Sequence, residues 1–145
     1  MSETRSLNSK IIFIVEDNEA YAKALKQFLQ TRFAEIKEVK IFHIGELCLP
    51  ELDLNPFIVV MDYFLNSRYN EANNGLEIAE RIKIVKPKTN IILLSVQENS
   101  IGISEIIKQY DCMYIKKNEA AFEKVGQSVE AMLSAEDQHE SDLLN

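Results

Sequence analysis

The stretch IIFIVED, residues 11–17, joins a run of apolar residues to two carboxylates. A continuous run of β-branched and aromatic residues is typical of a strand that is covered on both faces, as in a parallel sheet. Two further runs, Phe57–Met61 and Ile91–Leu94, have the same character. Together the three runs indicate the central strands of one sheet.

Two weaker apolar segments complete the set of predicted strands. Ile36–Phe42 alternates apolar and charged residues, which favours a strand nearer an edge, and Met113–Ile115 is a short last strand. Apolar residues with helical spacing lie between and after the strands. The first such pattern follows Asp17-Asn18, which can cap the start of a helix. The predicted helical segments are residues 21–29, 45–52, 76–82, 103–110 and 122–133.

Five strands alternating with five helices predict an α/β fold, a doubly wound parallel sheet with right-handed crossovers and helices on both faces. We expect residues 1–9 to form an N-terminal tail and residues 10–134 to form the folded domain. Residues 135–145 are predicted to be a frayed acidic tail, because the helical period is lost after Ser134. In such sheets, ligands bind outside the carboxyl ends of the central strands.

Charge and composition exclude several classes of protein. The 145 residues carry 16 Lys and Arg against 23 Asp and Glu, a net charge of −7. This balance argues against nucleic acid or an anionic membrane surface as the main partner, because both require clustered cations. The longest aliphatic runs fall far short of the ~20 residues that span a bilayer. We therefore expect a cytoplasmic protein in which Cys48 and Cys112, which lack a metal or redox spacing, are reduced thiols.

Polar side chains follow the apolar runs, at the end of each strand. The first run ends in Glu16-Asp17, the run at 57–61 ends in Asp62, the next in Ser95, and the last in Lys116-Lys117. Several carboxylates in one cleft need a counter-charge, and Mg²⁺ with oxygen ligands and a bound phosphate provides it. Asp62 is then free to act as a nucleophile, while a lysine neutralises phosphoryl oxygens and Ser95 donates a hydrogen bond to one of them.

The motifs IIFIVEDN, FIVVMDYFL, IILLSV and YIKK, in that order, resemble the response-regulator receiver domain of two-component signalling. The resemblance covers about Lys10 to Leu133. It implies a flavodoxin-like fold with strand order 2-1-3-4-5. It also implies transfer of a phosphoryl group to Asp62 from a histidine kinase or a histidine phosphotransfer protein, with Mg²⁺ as the cofactor. Such a domain catalyses only its own phosphoryl transfer and dephosphorylation.

The resemblance assigns roles to individual residues. It implies that Ser95 and Tyr114 act as the switch pair. The pattern Tyr-Ile-x-Lys favours Lys117 as the catalytic lysine, and Lys116 stays open as the alternative. Asn118 stands where the family usually has Pro, which puts a cis peptide at that point in doubt. The implied metal ligands are Glu16, Asp17, Asp62 and the backbone carbonyl of Phe64.

The loop at residues 65–74, LNSRYNEANN, is longer than the family usually has. Because it borders Asp62, it could alter kinase access or the lifetime of the phosphoryl group. A longer loop adds little entropic cost, about 0.6 kcal/mol per doubling of its length, so the fold should tolerate it.

Several functions remain as alternatives. The first is a receiver-like interaction module that is not phosphorylated, in which the strand-end residues merely cap turns and helices. A phosphatase of the haloacid-dehalogenase type would need a second Asp where Phe64 stands, and a dinucleotide site would need a Gly-rich loop where the chain reads EDNEAY. We expect output through a downstream target, since no DNA-binding segment fits after the last helix, and homodimerisation stays open.

Overall fold

The centre of the molecule is a five-stranded parallel sheet with the order β2-β1-β3-β4-β5. The computed structural model describes residues 10–63, 75–96 and 101–144. This order confirms the predicted flavodoxin-like topology, with the weak second strand at an edge. The strands are β1 (Lys10–Val15), β2 (Ile36–Phe42), β3 (Ile58–Asp62), β4 (Asn90–Ser95) and β5 (Cys112–Lys116).

Helices alternate with the strands along the chain. α1 begins after Asn18, whose side-chain oxygen accepts a hydrogen bond from the Tyr21 N–H at 2.9 Å. The second predicted helix is a 3₁₀ helix that contains Pro50, which has no N–H to donate. None of the described helices combines the length and the apolar character that crossing a membrane requires. The helices are α1 (Glu19–Arg32), the 3₁₀ helix (Gly45–Leu54), α2 (Gly75–Val85), α3 (Ile101–Tyr110) and α4 (Ala121–Leu144).

Successive residues of the central strands point to opposite faces of the sheet, and both faces are covered. On β1, Ile12 and Ile14 belong to the core beneath α1 and α4, whereas Phe13 and Val15 belong to the core beneath the 3₁₀ helix and α2. All four side chains are at most 1% exposed. Coverage of both faces is the reason that this run contains no polar residue.

Both cysteines belong to the core beneath the 3₁₀ helix and α2. They are free and buried, as the prediction of reduced thiols requires. Burial raises the pKa of the Cys48 thiol to about 12 and that of Cys112 to about 11. Because the reactive thiolate form is then scarce at neutral pH, neither thiol has the character of a redox or metal site.

The C-terminal segment differs from its prediction as a frayed tail, because α4 continues to Leu144. Leu133 is the last buried apolar side chain that the structure describes along α4. The residues beyond it include good helix formers, and Gln138 donates a hydrogen bond to Asp142, one turn later, at 3.0 Å. Loss of the apolar period therefore marks the end of burial and not the end of the helix. The domain boundary at residue 134 stays a prediction.

Candidate functional site

Three carboxylates meet at the carboxyl ends of two neighbouring parallel strands. Glu16 and Asp17 follow β1, and Asp62 is the last residue of β3. One oxygen of each carboxylate lies within 4.8 Å of the others. Residues that are 46 positions apart in sequence are adjacent here because parallel strands end at the same edge of a sheet. The structure thus brings together the acids that the sequence analysis grouped, and we call them the acid cluster.

Lys117 extends its ammonium into the acid cluster. Its Nζ donates to Glu16 Oε1 at 2.7 Å and to Asp62 Oδ2 at 3.3 Å. The backbone N–H of Lys117 donates to the Ser95 carbonyl at 2.7 Å, so the end of β4 fixes where this lysine leaves the sheet. Burial alone would lower the pKa of Lys117, but its hydrogen bond to Glu16 and the charge of Asp62 outweigh burial and raise it. The side chain is therefore a fixed positive charge.

The carboxylates differ in their surroundings. Glu16 and Asp62 are 2% and 8% exposed, whereas Asp17 is exposed. Burial raises the pKa of Glu16 to about 7, although the hydrogen bonds from Lys117 and from the Asn18 N–H, at 3.0 Å, act to lower it. Burial disfavours the charged form of Glu16, so a positive charge close to its oxygens has a strong stabilising effect.

Gly75, the first residue of α2, lies tightly against the end of β3. Its N–H donates to the Tyr63 carbonyl at 2.8 Å, and the Tyr63 N–H donates to the Leu94 carbonyl at 2.7 Å. A Cβ at position 75 would lie 2.5 Å from the backbone oxygen of Asp62 and 2.9 Å from the Cα of Tyr63. Only glycine fits at this distance, so the absence of a side chain lets α2 begin directly beside Asp62.

The predicted switch residues occupy the last two strands. Ser95 is fully buried at the end of β4, and Tyr114 is half-buried on β5. Tyr114 packs against the core beneath the 3₁₀ helix and α2, and it lies opposite Leu93 in the strand pairing. Because side chains alternate along a strand, Ser95 and Leu93 point to the same face of the sheet. Ser95 and Tyr114 therefore share one face.

Two sequence expectations concern residues that lie outside the described part of the chain. The backbone carbonyl of Phe64, the implied fourth metal ligand, lies there, as does the long loop at residues 65–74. Asn118, by contrast, is described, and its peptide bond with Lys117 is trans.

Two residues of the site were missed by sequence reasoning. Tyr21 begins the predicted helical segment 21–29, which assigns its ring no role in the site, yet the Lys117 Nζ lies 4.4 Å from its centroid. His43 lies outside the predicted strand-end residues, and its Nδ1 lies 2.8 Å from the backbone carbonyl oxygen of Glu16. The signal for Tyr21 was an aromatic residue one helical turn after the acidic pair. Residue type alone signalled nothing for His43, which follows β2.

A separate depression of about 630 Å³ lies at the amino ends of the strands. Its walls include Lys10, Phe57 and Asn90, at or just before the starts of β1, β3 and β4. It is therefore distant from the acid cluster, which lies at the other ends of the same strands.

Solved structures share this architecture, while the sequence matches no protein-family profile and no curated protein. The BeF3-activated DrrB receiver domain is 24% identical with a TM-score of 0.71, over 87% of this chain and 98% of that one. A CheY-like receiver domain from Methanospirillum hungatei JF-1 is 22% identical with a TM-score of 0.70, over 90% and 98%. Response regulator DrrB, a Thermotoga maritima OmpR/PhoB homolog, is 26% identical with a TM-score of 0.68, over 88% and 54%. The chain therefore has the fold of a response-regulator receiver domain.

Proposed function

We propose that the chain is a response-regulator receiver that accepts a phosphoryl group on Asp62 from a histidine kinase or a histidine phosphotransfer protein. The observation that carries the proposal is the contact of the Lys117 ammonium with two carboxylates, at 2.7 Å from Glu16 and 3.3 Å from Asp62. A nucleophilic carboxylate, an acidic partner and a fixed cation are the groups that phosphoryl transfer to Asp requires. The receiver-domain fold supports the same conclusion.

The acid cluster fits Mg²⁺ by the chemistry of its donors. Hard divalent cations bind carboxylate oxygens, and one oxygen of each acid lies within 4.8 Å of the others. We propose Glu16, Asp17 and Asp62 as ligands, together with the backbone carbonyl of Phe64. When bound, Mg²⁺ would supply positive charge to the oxygens of the transferring group.

The transfer itself uses residues of this chain. A carboxylate oxygen of Asp62 attacks the phosphorus of the donor's phosphohistidine, the new P–O bond forms as the P–N bond breaks, and the imidazole takes the electron pair. Lys117, close to Asp62, offsets the charge of the phosphoryl oxygens. Glu16 holds Lys117 in place. Attack of water on the acyl phosphate later releases inorganic phosphate and restores Asp62.

The proposed output is a change in surface shape. A phosphoryl group adds charge and acceptor oxygens beside the end of β4. Ser95 donates its hydroxyl hydrogen to one of these oxygens, and its movement opens space on the face of the sheet that it shares with Tyr114. Tyr114 turns inward, which reshapes the surface formed by α3, β5 and α4. A downstream target, or a second copy of the chain, binds this surface with altered affinity.

Replacement of the acceptor tests the proposal. In acetyl phosphate with Mg²⁺, the wild-type chain should gain one phosphoryl group by intact mass spectrometry, and the Asp62→Asn variant should gain none. Asp53→Asn, at an exposed position of the 3₁₀ helix, is the matched control and should be labelled like the wild type. A chelator should reduce labelling of the wild type and of Asp53→Asn. Undiminished labelling of Asp62→Asn would refute Asp62 as the acceptor. An unlabelled wild type would favour the alternative of a receiver-like interaction module that is not phosphorylated.

A further inference from the structure

Tyr21 contacts the side chain of Lys117, which brings a positive charge to the acid cluster. The Lys117 Nζ lies 4.4 Å from the centroid of the Tyr21 ring, within the range of a cation–π interaction. The same ammonium also contacts the carboxylates of Glu16 and Asp62. Since the side chain of Lys117 is only 16% exposed, the ring and the two carboxylates replace most of its water.

The ring is held on several sides. The Tyr21 N–H donates to the Asn18 side chain at 2.9 Å, which anchors the residue in the first turn of α1. The ring meets Phe122 of α4 edge to face, with centroids 5.2 Å apart, and Phe122 in turn lies 5.6 Å from Phe28. A side chain packed in this way cannot easily follow a mobile ammonium, so the ring restrains Lys117 and not the reverse.

The hydroxyl of Tyr21 contributes little to this contact. Its oxygen is buried and has no hydrogen-bond partner among the residues that the structure describes. Burial raises the pKa of Tyr21, with Lys117 opposing, so the ring stays neutral at physiological pH. A buried hydroxyl without a partner is destabilising, whereas the ring face is the part that attracts a cation. The aromatic face is therefore the functional part of the side chain.

We propose that Tyr21 is a positioning residue that holds the Lys117 ammonium beside Asp62 for phosphoryl transfer. This inference rests on the proposed function. The two carboxylates compete for Lys117, and the shorter bond goes to Glu16. The aromatic face gives the ammonium a third, fixed contact that limits its freedom to withdraw toward Glu16 and water.

Replacement of the ring by an aliphatic side chain tests this inference. Tyr21→Leu should lower the maximal rate of labelling by acetyl phosphate about tenfold, the loss expected from one desolvated cation–π contact. Its Mg²⁺ affinity, measured by calorimetry, should be unchanged because the acids remain. Tyr21→Phe should keep the wild-type rate within about twofold, since it keeps the ring face. Phe57→Leu, which removes an aromatic ring at the other ends of the strands, should leave the rate unchanged.

A double-mutant cycle distinguishes positioning from general loss of structure. If Tyr21 acts through Lys117, Tyr21→Leu should cause no further loss of rate in a Lys117→Ala background. Equal rates for Tyr21→Leu and the wild type, or a full additional loss in the Lys117→Ala background, would overturn the inference while wild-type labelling kept the proposed function intact. Failure of the wild type itself to be labelled would overturn both.

Discussion

Gly75 of α2 and Gly126 of α4 differ in what a side chain at each position would meet. A Cβ at Gly75 would meet the backbone of Asp62 and Tyr63, which cannot give way without moving the end of β3. A Cβ at Gly126 would lie 2.5 Å from the terminal Nη1 of Arg32, the far end of a flexible side chain. The same substitution therefore has different physical consequences at the two positions.

We expect Gly75→Ala to lower the free energy of unfolding by about 1–3 kcal/mol, because an overpacked contact with backbone forces the chain to shift. The shift occurs at the end of β3, which carries Asp62, so labelling of Asp62 by acetyl phosphate should also slow. Urea unfolding and intact mass spectrometry measure the two effects.

Gly126→Ala is the matched control for this prediction. It should change the free energy of unfolding by less than about 1 kcal/mol, since alanine favours helix by a similar amount and Arg32 can rotate away. Its labelling should match the wild type. Equal stability and equal labelling of both alanine variants would contradict the tight approach of Gly75 to Asp62.

Helix α4 has two parts with different roles. Up to Leu133 it buries Val125, Val129 and Leu133 against the sheet. Beyond Leu133 the contact that the structure describes with the rest of the domain is a marginal ion pair, Glu136 to Lys10 at 4.0 Å. A single ion pair at this long distance, between partly exposed side chains, contributes little to stability. The end of the helix should therefore be dispensable for folding.

Truncation after Ser134 tests this division and the predicted domain boundary. We expect the shortened chain to unfold within about 1 kcal/mol of the full chain, because it loses little buried apolar surface. Leu133→Ala in the full chain, by contrast, should cost about 2–5 kcal/mol, the usual range for truncating a core leucine. The denaturant concentrations at the unfolding midpoints of the full chain, the truncated chain and Leu133→Ala measure these differences. A truncated chain as unstable as Leu133→Ala would show that the segment belongs to the folded domain.

The sheet as a whole is most protected at its centre. β1, β3 and β4 each have a strand on both sides, whereas β2 and β5 are the edges. The edge strands also carry exposed residues such as Lys37, Glu38 and Met113, whereas Ile12 and Val60 are at most 1% exposed. The free energy needed to expose a backbone amide to exchange rises with burial and with strand pairing. The amides of β1, β3 and β4 should therefore exchange only through nearly global unfolding.

Native-state hydrogen exchange measured by NMR tests this gradient. The amides of Ile12, Val60 and Ile92 should exchange at least about tenfold more slowly than those of Lys37 and Glu38 at matched intrinsic rates. The α4 residues beyond Ser134 should exchange fastest among the helical amides. Equal protection of β2 and β1 would argue against this order of strands.

Much of the architecture could be read from local pattern. The continuous apolar runs predict buried central strands because both faces of those strands are covered, and the alternating run at Ile36–Phe42 predicts an edge strand. The extension of α4 was missed because periodicity reports burial, and an exposed helix has none. For the site, chain order alone could group Glu16, Asp62, Ser95 and a lysine at one sheet edge.

Local sequence is enough to predict which residue types lie at the strand ends, since each follows directly from the point where an apolar run stops. Three contacts arise from the packing of the folded chain: Lys117 with Glu16 and Asp62, the Tyr21 ring with the Lys117 ammonium, and Gly75 with the backbone of Asp62. These contacts join segments from different parts of the chain. Their distances depend on how the strands twist and the helices pack, which local pattern does not encode.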